Sequence, residues 1–541
     1  MFPLFSLLSL LPLPLQPLPL QPLPLQPLPL QPLLEVSPPP FSSISPSPVV
    51  APIASAPFVR LAQALENPNA ISSTVRNAGE VLRRQDVRPL PGSLDAVPVF
   101  NSNNPEVIRG EGILLSTFPS REKRVPAAHL NYPFEGRFDI FTHHVTQAKT
   151  SAETRTLFQG TLLHNPGNEA IRVEVLQAST YMTRPDALYI PLAPYIEDPI
   201  GQVYSGPGSR ITGDILRGRR QGLWPATIRI PPKQSYMLMN LPIPVGKVTP
   251  SSNGRSTIAR LWSSGPVYVA NMALRAPLDE VGRERTPNLA DWEGLARNGD
   301  LVQPRDHSAS PPGTPPEDIV FSRVSGVAKG SHWRARITDG PEASYLTIPE
   351  EGSEFSYGLS LLPKGTLGTG QIQSAPMLAR YPDSAYAAHG NYGIEYNLLL
   401  PLGNPHKQTK TVGIAIQTPI KKDQAEGGLS FLNRDSDKVF FRGTVRLRYI
   451  DDRDQLQTRY VHLVQRRGEQ GKALVFLNLK PGERRVVRLD LIYPPDATPP
   501  QVLTVKTVDA ATARRETAVL SEVPISGPKQ FGPKQFGKET P

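Results

Sequence analysis

The chain has no cysteine among its 541 residues. It therefore forms no disulfide, binds no zinc ion or iron–sulfur cluster through thiolates, and offers no cysteine nucleophile or lipid-modified N-terminal cysteine. Motifs of common enzyme classes are also missing, namely the Gly-x-Ser-x-Gly elbow, His-Glu-x-x-His and the phosphate-binding loop. The missing cysteine does not identify a compartment. Together these absences remove many catalytic mechanisms, and we expect no cofactor.

Uninterrupted apolar segments are scarce as well. Met1–Leu34 carries no charged side chain, but Pro12–Gln31 is four copies of Pro-Leu-Pro-Leu-Gln. Proline removes backbone donors and clashes with the preceding helical turn, so this repeat is expected to be polyproline II or disordered. No later segment reaches the roughly 18 apolar residues that a membrane helix needs. We therefore predict no transmembrane span.

The N-terminus permits two interpretations. Met1–Leu11 has the length of a signal-peptide apolar core, and Ala54–Ala56 fits a small-x-small cleavage pattern. However, no lysine or arginine precedes the apolar run, and Pro57 is a poor neighbour for cleavage. One hypothesis is an export signal lengthened by repeat expansion, which places the protein in the periplasm, in the cell envelope or outside the cell. The alternative is a cytoplasmic protein with a low-complexity tail or a start codon placed too early.

The remaining sequence is typical of a β-protein. Seventeen of the 62 prolines fall in the first 58 residues, and the others are too many for a helix-rich domain. In the segment 171–175 apolar residues alternate with charged ones, which is the period of a half-buried strand. The turn Asn165-Pro166-Gly167 just before it favours a hairpin. Repeated short strands of this kind predict a mostly β fold of two tandem antiparallel β-sandwich domains.

An internal duplication supports two domains. The motif Ala127–Tyr132 (AAHLNY) recurs as Ala387–Tyr392 (AAHGNY). In the same order, an Asn-Pro turn follows each copy, at Asn165 and at Asn404, and leads into an alternating strand. Loop insertions in a tandem pair produce such matches at drifting offsets. Chance similarity between two proline-rich β regions is the alternative.

The predicted organisation has six segments. They are residues 1–58, a low-complexity leader; 59–86, short helical or disordered; 87–277, the first sandwich; 278–318, a linker with a short helix starting at Thr286-Pro287; 319–509, the second sandwich; and 510–541, a disordered basic tail.

A stretch within residues 87–145 carries a family resemblance. Val87-Arg-Pro-Leu-Pro-Gly-Ser-Leu-Asp, Gly112-Ile-Leu-Leu-Ser-Thr-Phe-Pro and Gly136-Arg-Phe-Asp-Ile-Phe-Thr-His-His resemble a family of cyanobacterial proteins that is defined as a domain of unknown function. The resemblance extends to about residue 510. It implies a cyanobacterial, extracytoplasmic setting, and it implies no activity, cofactor or catalytic residue.

A metal site is one hypothesis for the strand around residue 140. On a strand, Asp139 and His143 share a face, and His129 or His164 from a neighbouring strand would complete two imidazoles and a carboxylate for a divalent ion. The alternative is a strand with one polar face, on which Arg137 pairs with Asp139.

A basic sheet face is the second hypothesis. Arg442, Arg446 and Arg448 point to one side of a predicted strand, and apolar residues point to the other. With a net charge of +10, such a face could bind an anionic polysaccharide, lipid headgroups or nucleic acid by charge. The alternative is a solvated face with cross-strand partners such as Asp490. Nucleic acid is not expected, because no recognition motif accompanies the charge.

These features together predict an exported binding or structural module rather than an enzyme, although catalysis stays open. Its partner would be an envelope polysaccharide or protein, and its oligomeric state is not predicted. The expected binding residues are Tyr132, Phe134, Tyr392, Arg442, Arg446 and Arg448. The alternative function is a carbohydrate-active hydrolase with Asp139, Glu135 and nearby histidines in a cleft of the first sandwich.

Overall fold

A computed structural model describes residues 79–521, apart from positions 247, 425 and 435. The fold is mostly β, with 45% of residues in strands and 9% in helices, which confirms the predicted fold class. The predicted leader at 1–58 and most of the segment 59–86 lie outside the described residues. Within the described part of the chain, no helix is long and apolar enough to cross a membrane.

Strands fill the first half from its beginning. They are β1 (Glu80–Arg84), β2 (Asp86–Arg88), β3 (Ser93–Leu94), β4 (Pro98–Ser102), β5 (Val107–Ile108), β6 (Gly112–Ser116), β7 (Phe134–Gln147), β8 (Leu157–His164), β9 (Ile171–Met182), β10 (Tyr195–Glu197), β11 (Thr227–Ile230), β12 (Ser235–Ile243) and β13 (Ser252–Arg275). The described end of the segment 59–86 is therefore extended backbone.

The second half has a similar density of strands. They are β14 (Ser325–Lys329), β15 (His332–Arg336), β16 (Leu346–Thr347), β17 (Glu354–Leu359), β18 (Ala375–Arg380), β19 (Ala387–Ala388), β20 (Glu395–Gly403), β21 (Lys410–Gln417), β22 (Gly428–Leu432), β23 (Val439–Ile450), β24 (Leu456–Arg466), β25 (Ala473–Leu479), β26 (Arg484–Ile492) and β27 (Gln501–Val508).

The described α-helices are α1 (Pro207–Leu216), α2 (Leu289–Asn298) and α3 (Ala510–Ser521). Helix α2 lies in the predicted linker but begins later than its Thr-Pro signal indicates. Asn288 is the N-cap: its side chain accepts from the Asp291 N–H at 3.0 Å, and the Asp291 carboxylate accepts from the Asn288 N–H at 2.7 Å. This capping box satisfies two helix donors, which a threonine two residues earlier cannot do.

Residues 510–521 differ from the predicted disordered tail because they form α3. Asp509 accepts a hydrogen bond from the Thr512 N–H at 2.8 Å and so caps the first turn. Glu516 lies 2.7 Å from the ammonium of Lys506 on β27, and Ala513 is buried. These contacts fix the helix against the sheet. The rest of the predicted tail lies outside the described residues.

The two halves contain sheets with the same strand order. One sheet has the order β2-β17-β27-β21-β25, in which all strands except the N-terminal β2 come from the second half, and in the first half the order is β4-β7-β13-β9-β11. In each set the first pair is parallel and the following pairs are antiparallel. The strand orders agree, but the repeated motif lies before β7 in the first half and after β17 in the second, so the internal duplication stays a prediction.

The Asn-Pro turns also match atom by atom. Asn165 donates from Nδ2 to the carbonyl four residues later, and its Oδ1 accepts from the Gly167 N–H. Asn404 donates to the carbonyl four residues later, and its Oδ1 accepts from the His406 N–H. Each Nδ2 also donates to two consecutive carbonyls at the end of a later strand, at Ile230 and Pro231 or at Leu479 and Lys480. Buried backbone carbonyls need such partners. The hairpin expected at Asn165 is wrong, because β8 pairs with β12 and β13 whereas β9 pairs with β11 and β13.

Strands of the two halves also pair with each other. The N-terminal β2 and β3 pair with β17 and β15, β4 pairs with β14, and β10 pairs with β24. The sheets therefore continue past the proposed linker at 278–318, and the exact domain boundaries stay a prediction.

In the core of the second half, buried and outward-pointing side chains alternate along the strands. In β23, Val445, Leu447 and Tyr449 point inward and are buried, while the arginines between them point outward. Each buried aliphatic side chain of this kind stabilises the fold by about 1.5–3 kcal/mol. The outward face of the sheet β24-β23-β26-β20-β15 is the surface on which the candidate site lies.

Candidate functional site

The polar face of β7 lies inside the molecule. Asp139 is 4% exposed and is hydrogen bonded to Arg137 of its own strand and to Ser331, which immediately precedes β15. The Nε atom of Arg260 on β13 lies 3.7 Å from its Oδ2. The expected pairing of Arg137 with Asp139 is therefore present, and the carboxylate is held by protein groups on both sides.

His143 has a separate set of partners. Its Nδ1 lies 2.7 Å from Ser256 Oγ, and its Nε2 lies 3.4 Å from Glu106 Oε1. Burial alone would raise the pKa of Glu106, but hydrogen bonding to His143 and the charge of Arg323 outweigh it and lower the pKa to about 2. Glu106 is therefore an ionised carboxylate at neutral pH.

The proposed metal ligands do not converge. His129 is hydrogen bonded through Nδ1 to Ser116 Oγ at 2.8 Å, and burial with the nearby charge of Lys123 lowers its pKa to about 4. Asp139 and His143 share a face, but four residues along a strand span about 13 Å, too far for one ion. No group of three or more His, Asp or Glu among the residues the structure describes is arranged to hold a metal. The third proposed histidine, His164, contacts Ser235 instead.

The three aromatic residues expected to bind a partner differ in how far their side chains are buried. Phe134 is 1% exposed and stacks on Phe138, so its side chain is not offered to a ligand. Tyr132 is half-buried against Phe134. Tyr392 donates its hydroxyl hydrogen to the Ala497 carbonyl at 2.9 Å. Burial raises the pKa of Tyr392 to about 12.

The three arginines of β23 point to one face, as expected, but they differ in environment. Helix α1 packs on part of this face, where Arg446 donates to the Leu216 carbonyl at its C-terminal end and to Asp490. Arg448 also donates to Asp490, at 2.8 Å. Arg442 lies over the ring of Tyr189. Two arginines of the predicted basic face therefore form ion pairs within the fold. Their partner is Asp490, as the alternative interpretation expects.

A charged cluster that sequence reasoning missed joins the two halves. Arg260 Nη2 lies 2.8 Å from Glu395 Oε2, and both side chains are buried. His332 lies between Asp95 and Glu395, with Nδ1 3.2 Å from the first carboxylate and Nε2 3.5 Å from the second. Burial acts to lower the pKa of His332, but its hydrogen bonds to the two carboxylates raise it. No sequence signal links these residues, because they come from distant strands.

A second buried carboxyl was also missed. Asp496 lies beside Gly208 in the first turn of α1, and neither of its oxygens has a hydrogen-bond partner within standard geometry among the described residues. Burial raises its pKa, against the opposing charges of His143 and Arg442. The pKa values of Glu106 and Asp496, which both feel the charge of His143, are thus shifted in opposite directions.

The exposed part of the sheet face carries the remaining arginines. We call the set Arg334, Arg336, Arg448 and Arg488 the arginine face. Arg448 and Arg488 are directly opposite each other in the β23–β26 pair. Leu399 of β20 separates Arg488 from Arg336 in the same row. Arg334 and Arg488 are exposed and form no ion pair within the described part of the chain.

An aliphatic strip borders the arginine face. It consists of Leu456, Ile450 and Val486, which are 77%, 45% and 47% exposed. Ile450 and Leu456 are directly paired, and Val486 follows on the next strand, because the pairing of Tyr449 with Val487 sets that register. Single exposed aliphatic residues are ordinary, but three neighbours on adjacent strands mark an interaction surface.

A narrow cleft lies beside the strand β7. Asp139, Phe141, Tyr392 and Gly393 contribute to its walls, and its empty volume of about 330 Å³ includes open space at the mouth. Its one carboxylate is already bound to arginine, so the cleft does not bring together the pair of acids that a glycosidase needs.

A family model described as protein of unknown function (DUF3370) matches residues 85–507. The chain belongs to the DUF3370 family. This confirms the resemblance to a domain of unknown function. No curated protein matches the sequence. The DUF3370 domain includes both halves, the charged cluster between them and the whole arginine face.

Solved structures that match the DUF3370 chain are distant. The structure of the Macrobrachium rosenbergii nodavirus is 10% identical, with 86% of this chain and 98% of that chain covered and a TM-score of 0.11. An oxalate decarboxylase variant from B. subtilis is 11% identical, with 75% and 81% covered and a TM-score of 0.09. The coconut allergen cocosin is 10% identical, with 70% and 84% covered and a TM-score of 0.09. At these scores the similarities carry no argument about this chain.

Proposed function

We propose that the protein is an exported binding module that contacts an anionic component of the cell envelope through its arginine face. The observation that carries the proposal is the direct pairing of Arg448 with Arg488, on the same sheet face as Arg334, which is exposed and forms no ion pair among the described residues. Like charges directly opposite on a sheet destabilise it. An anionic partner removes that repulsion, and the net charge of +10 favours its approach.

The rigidity of this surface supports binding. The sheet beneath the arginine face is packed on buried Leu398, Leu447 and Leu489, and Arg448 is fixed by Asp490. A rigid surface loses little conformational entropy on binding. The cyanobacterial and extracytoplasmic setting implied by the family resemblance fits such a role and remains a prediction.

Retention on envelope material tests the proposal. The full-length protein is incubated with washed envelope fractions at low and at high salt, beside a double variant, Arg334→Glu with Arg488→Glu. We expect salt-sensitive retention of the natural protein and loss in the variant. The matched control is Arg121→Glu with Arg514→Glu, which makes the same charge change at exposed sites elsewhere. Absent retention at low salt, or equal loss in the control, contradicts the arginine face as the binding surface.

Export is tested separately. Fractionation of cells that make the natural protein, followed by N-terminal sequencing, locates the protein and any cleavage point. Recovery in the cytoplasm with an intact Met1 contradicts export.

A hydrolase is the second candidate, favoured by the contact of Glu106 with His143 and by the opposite pKa shifts of Glu106 and Asp496. Pairs of acids with separated pKa values are typical of acid–base catalysis. Hydrolysis of envelope glycans by the natural protein that is lost in Glu106→Gln but kept in Arg488→Glu would favour this candidate over binding alone.

A further inference from the structure

We infer that the anionic component is an acidic polysaccharide, bound along the outward face of the sheet β23-β26-β20-β15. This inference rests on the proposed binding function and adds the chemistry of the ligand. The arginine face, the aliphatic strip and an aromatic ring lie in succession on one surface, and together they offer both the charge contacts and the apolar contacts that an acidic sugar chain needs.

The aromatic ring belongs to Tyr345, which lies on this face beside Arg484. The Arg484 guanidinium carbon is 4.5 Å from the centre of the Tyr345 ring. Gly403, the strand partner of Arg484, leaves room for the ring: a Cβ at this position would come within 2.4 Å of Tyr345 Cδ2. The ring and the guanidinium thus form a flat, half-exposed stack at one end of the face.

Alternation along β26 places the other groups in line with this stack. Arg484, Val486 and Arg488 point outward in succession, and the residues between them are buried. Val486 belongs to the aliphatic strip, which crosses the sheet. Arg488 belongs to the row of arginines, which crosses the sheet beside it. The surface therefore presents an aromatic end, then an apolar row, then a cationic row.

This order of groups matches the two-sided character of a sugar chain. Pyranose rings present apolar C–H faces, which pack on the Tyr345 ring and the aliphatic strip, while carboxylates project from their edges. Arginine binds carboxylates through a planar fork that makes two hydrogen bonds. Arg448 and Arg488 lie on adjacent strands about 4.8 Å apart, and Arg336 follows beyond Leu399, so a linear polymer with repeated carboxylates can lie along the row.

Acidic groups next to the aliphatic strip argue against an anionic membrane. Asp451, Asp452 and Asp454 lie in the turn between β23 and β24, directly before Leu456. Insertion of Leu456 into a bilayer would bring these carboxylates to anionic headgroups, which repel them. A polymer lying along the arginine row is not forced against that turn.

Direct binding to defined probes tests the inference. The full-length protein is titrated with polygalacturonate, with neutral dextran, with polyglutamate and with phosphatidylglycerol vesicles. We expect polygalacturonate to bind at least about tenfold more tightly than polyglutamate or the vesicles, and dextran not to bind. Arg334→Glu with Arg488→Glu should weaken polygalacturonate binding at least about tenfold, whereas Arg121→Glu with Arg514→Glu should leave it unchanged.

An uncharged pair of variants separates sugar recognition from charge. Tyr345→Leu should weaken polygalacturonate binding several-fold without changing its dependence on salt, because no charge is removed. The matched control is Tyr386→Leu, at an exposed tyrosine beside a different arginine, Arg380. Circular dichroism and the midpoint of unfolding verify that each variant is folded.

The outcomes distinguish the two levels of the proposal. Equal binding of polyglutamate and polygalacturonate, or tighter binding of vesicles, overturns the polysaccharide inference. Retention on envelope fractions that depends on the arginine face, without any polygalacturonate binding, also overturns it and leaves the binding function intact. Absent retention on the envelope fractions contradicts the binding function itself.

Discussion

The guanidinium of Arg260 and the carboxylate of Glu395 lie 2.8 Å apart in the interior and connect the long strand β13 of the first half to β20 of the second. Asp139 and His332 flank this pair on either side. Each charged group has an opposite charge as a neighbour, which is the condition under which charges are tolerated inside a protein.

Removing one partner of the pair should strongly destabilise the fold. Arg260→Met leaves the carboxylates of Glu395 and Asp139 short of a cation, and we expect the free energy of unfolding to fall by about 3–5 kcal/mol. Denaturant unfolding measures the change. Arg283→Ala breaks an exposed pair with Asp279 and is the control, with an expected loss below about 1 kcal/mol. If Arg260→Met lowers the free energy of unfolding by no more than Arg283→Ala does, the Arg260–Glu395 pair does not hold the halves together.

Acid should destabilise the protein through its buried neutral histidines. Burial, with the charges of Arg217 and Arg442, lowers the pKa of His462 to about 3. Below about pH 6.5 the unfolded chain binds a proton there that the folded chain refuses, so stability falls as the pH falls toward 3. We expect His462→Leu to reduce this slope by up to about 1.4 kcal/mol per pH unit, measured by denaturant unfolding. His307→Gln, at an exposed histidine, should leave the slope unchanged.

His332 should have the opposite pH dependence. Its pKa is raised in the folded state, because its hydrogen bonds to Asp95 and Glu395 outweigh burial. Its contribution is therefore complete below the unfolded value near 6.5 and is lost as the pH rises through the raised pKa. We expect His332→Gln to be less stable than the natural protein at about pH 6, with the difference shrinking in mildly alkaline solution. A constant difference across that range would contradict a protonated His332.

The repeated asparagines should be equally important in both halves. Asn165→Ala and Asn404→Ala each leave buried carbonyls without donors, and we expect each to cost about 1–3 kcal/mol of unfolding free energy. Asn298→Ala, at an exposed asparagine on α2, is the matched control and should have little effect. A large loss at one turn alone would show that the two turns have diverged in function.

Much of the secondary structure was predictable from local chemistry. The alternation around Arg446 and Arg448 predicts the correct faces of β23. The Asn-Pro turns mark chain reversals in both halves but not hairpins, because the strands that flank each turn pair with other strands. Short-range errors also had local causes. The Thr286-Pro287 signal predicts too early a start for α2, because the capping box of Asn288 and Asp291 sets its first turn. The composition of the tail does not predict α3, because its anchor, the Lys506–Glu516 pair, joins it to a strand.

The candidate site was less predictable, because its parts meet only in three dimensions. Phe134 was expected at a binding surface, but its strand carries it into the core. Asp139 and His143 share a face, as expected, yet the length of the strand separates them. The arginine pair of Arg448 and Arg488 depends on the register between two strands, which the hydrophobic pattern of either strand alone does not specify.

The sequence by itself determined the absence of thiol chemistry, the mostly β fold and the inward and outward faces of individual strands, because residue type and a period of two act locally. Only the tertiary structure decided which charged side chains form ion pairs within the fold and which stay exposed to solvent. The single carboxylate of Asp490 pairs with both Arg446 and Arg448, while Arg334 and Arg488 face solvent. Ion pairing depends on distances between strands that are far apart in the chain, and those distances are set by how the two halves pack.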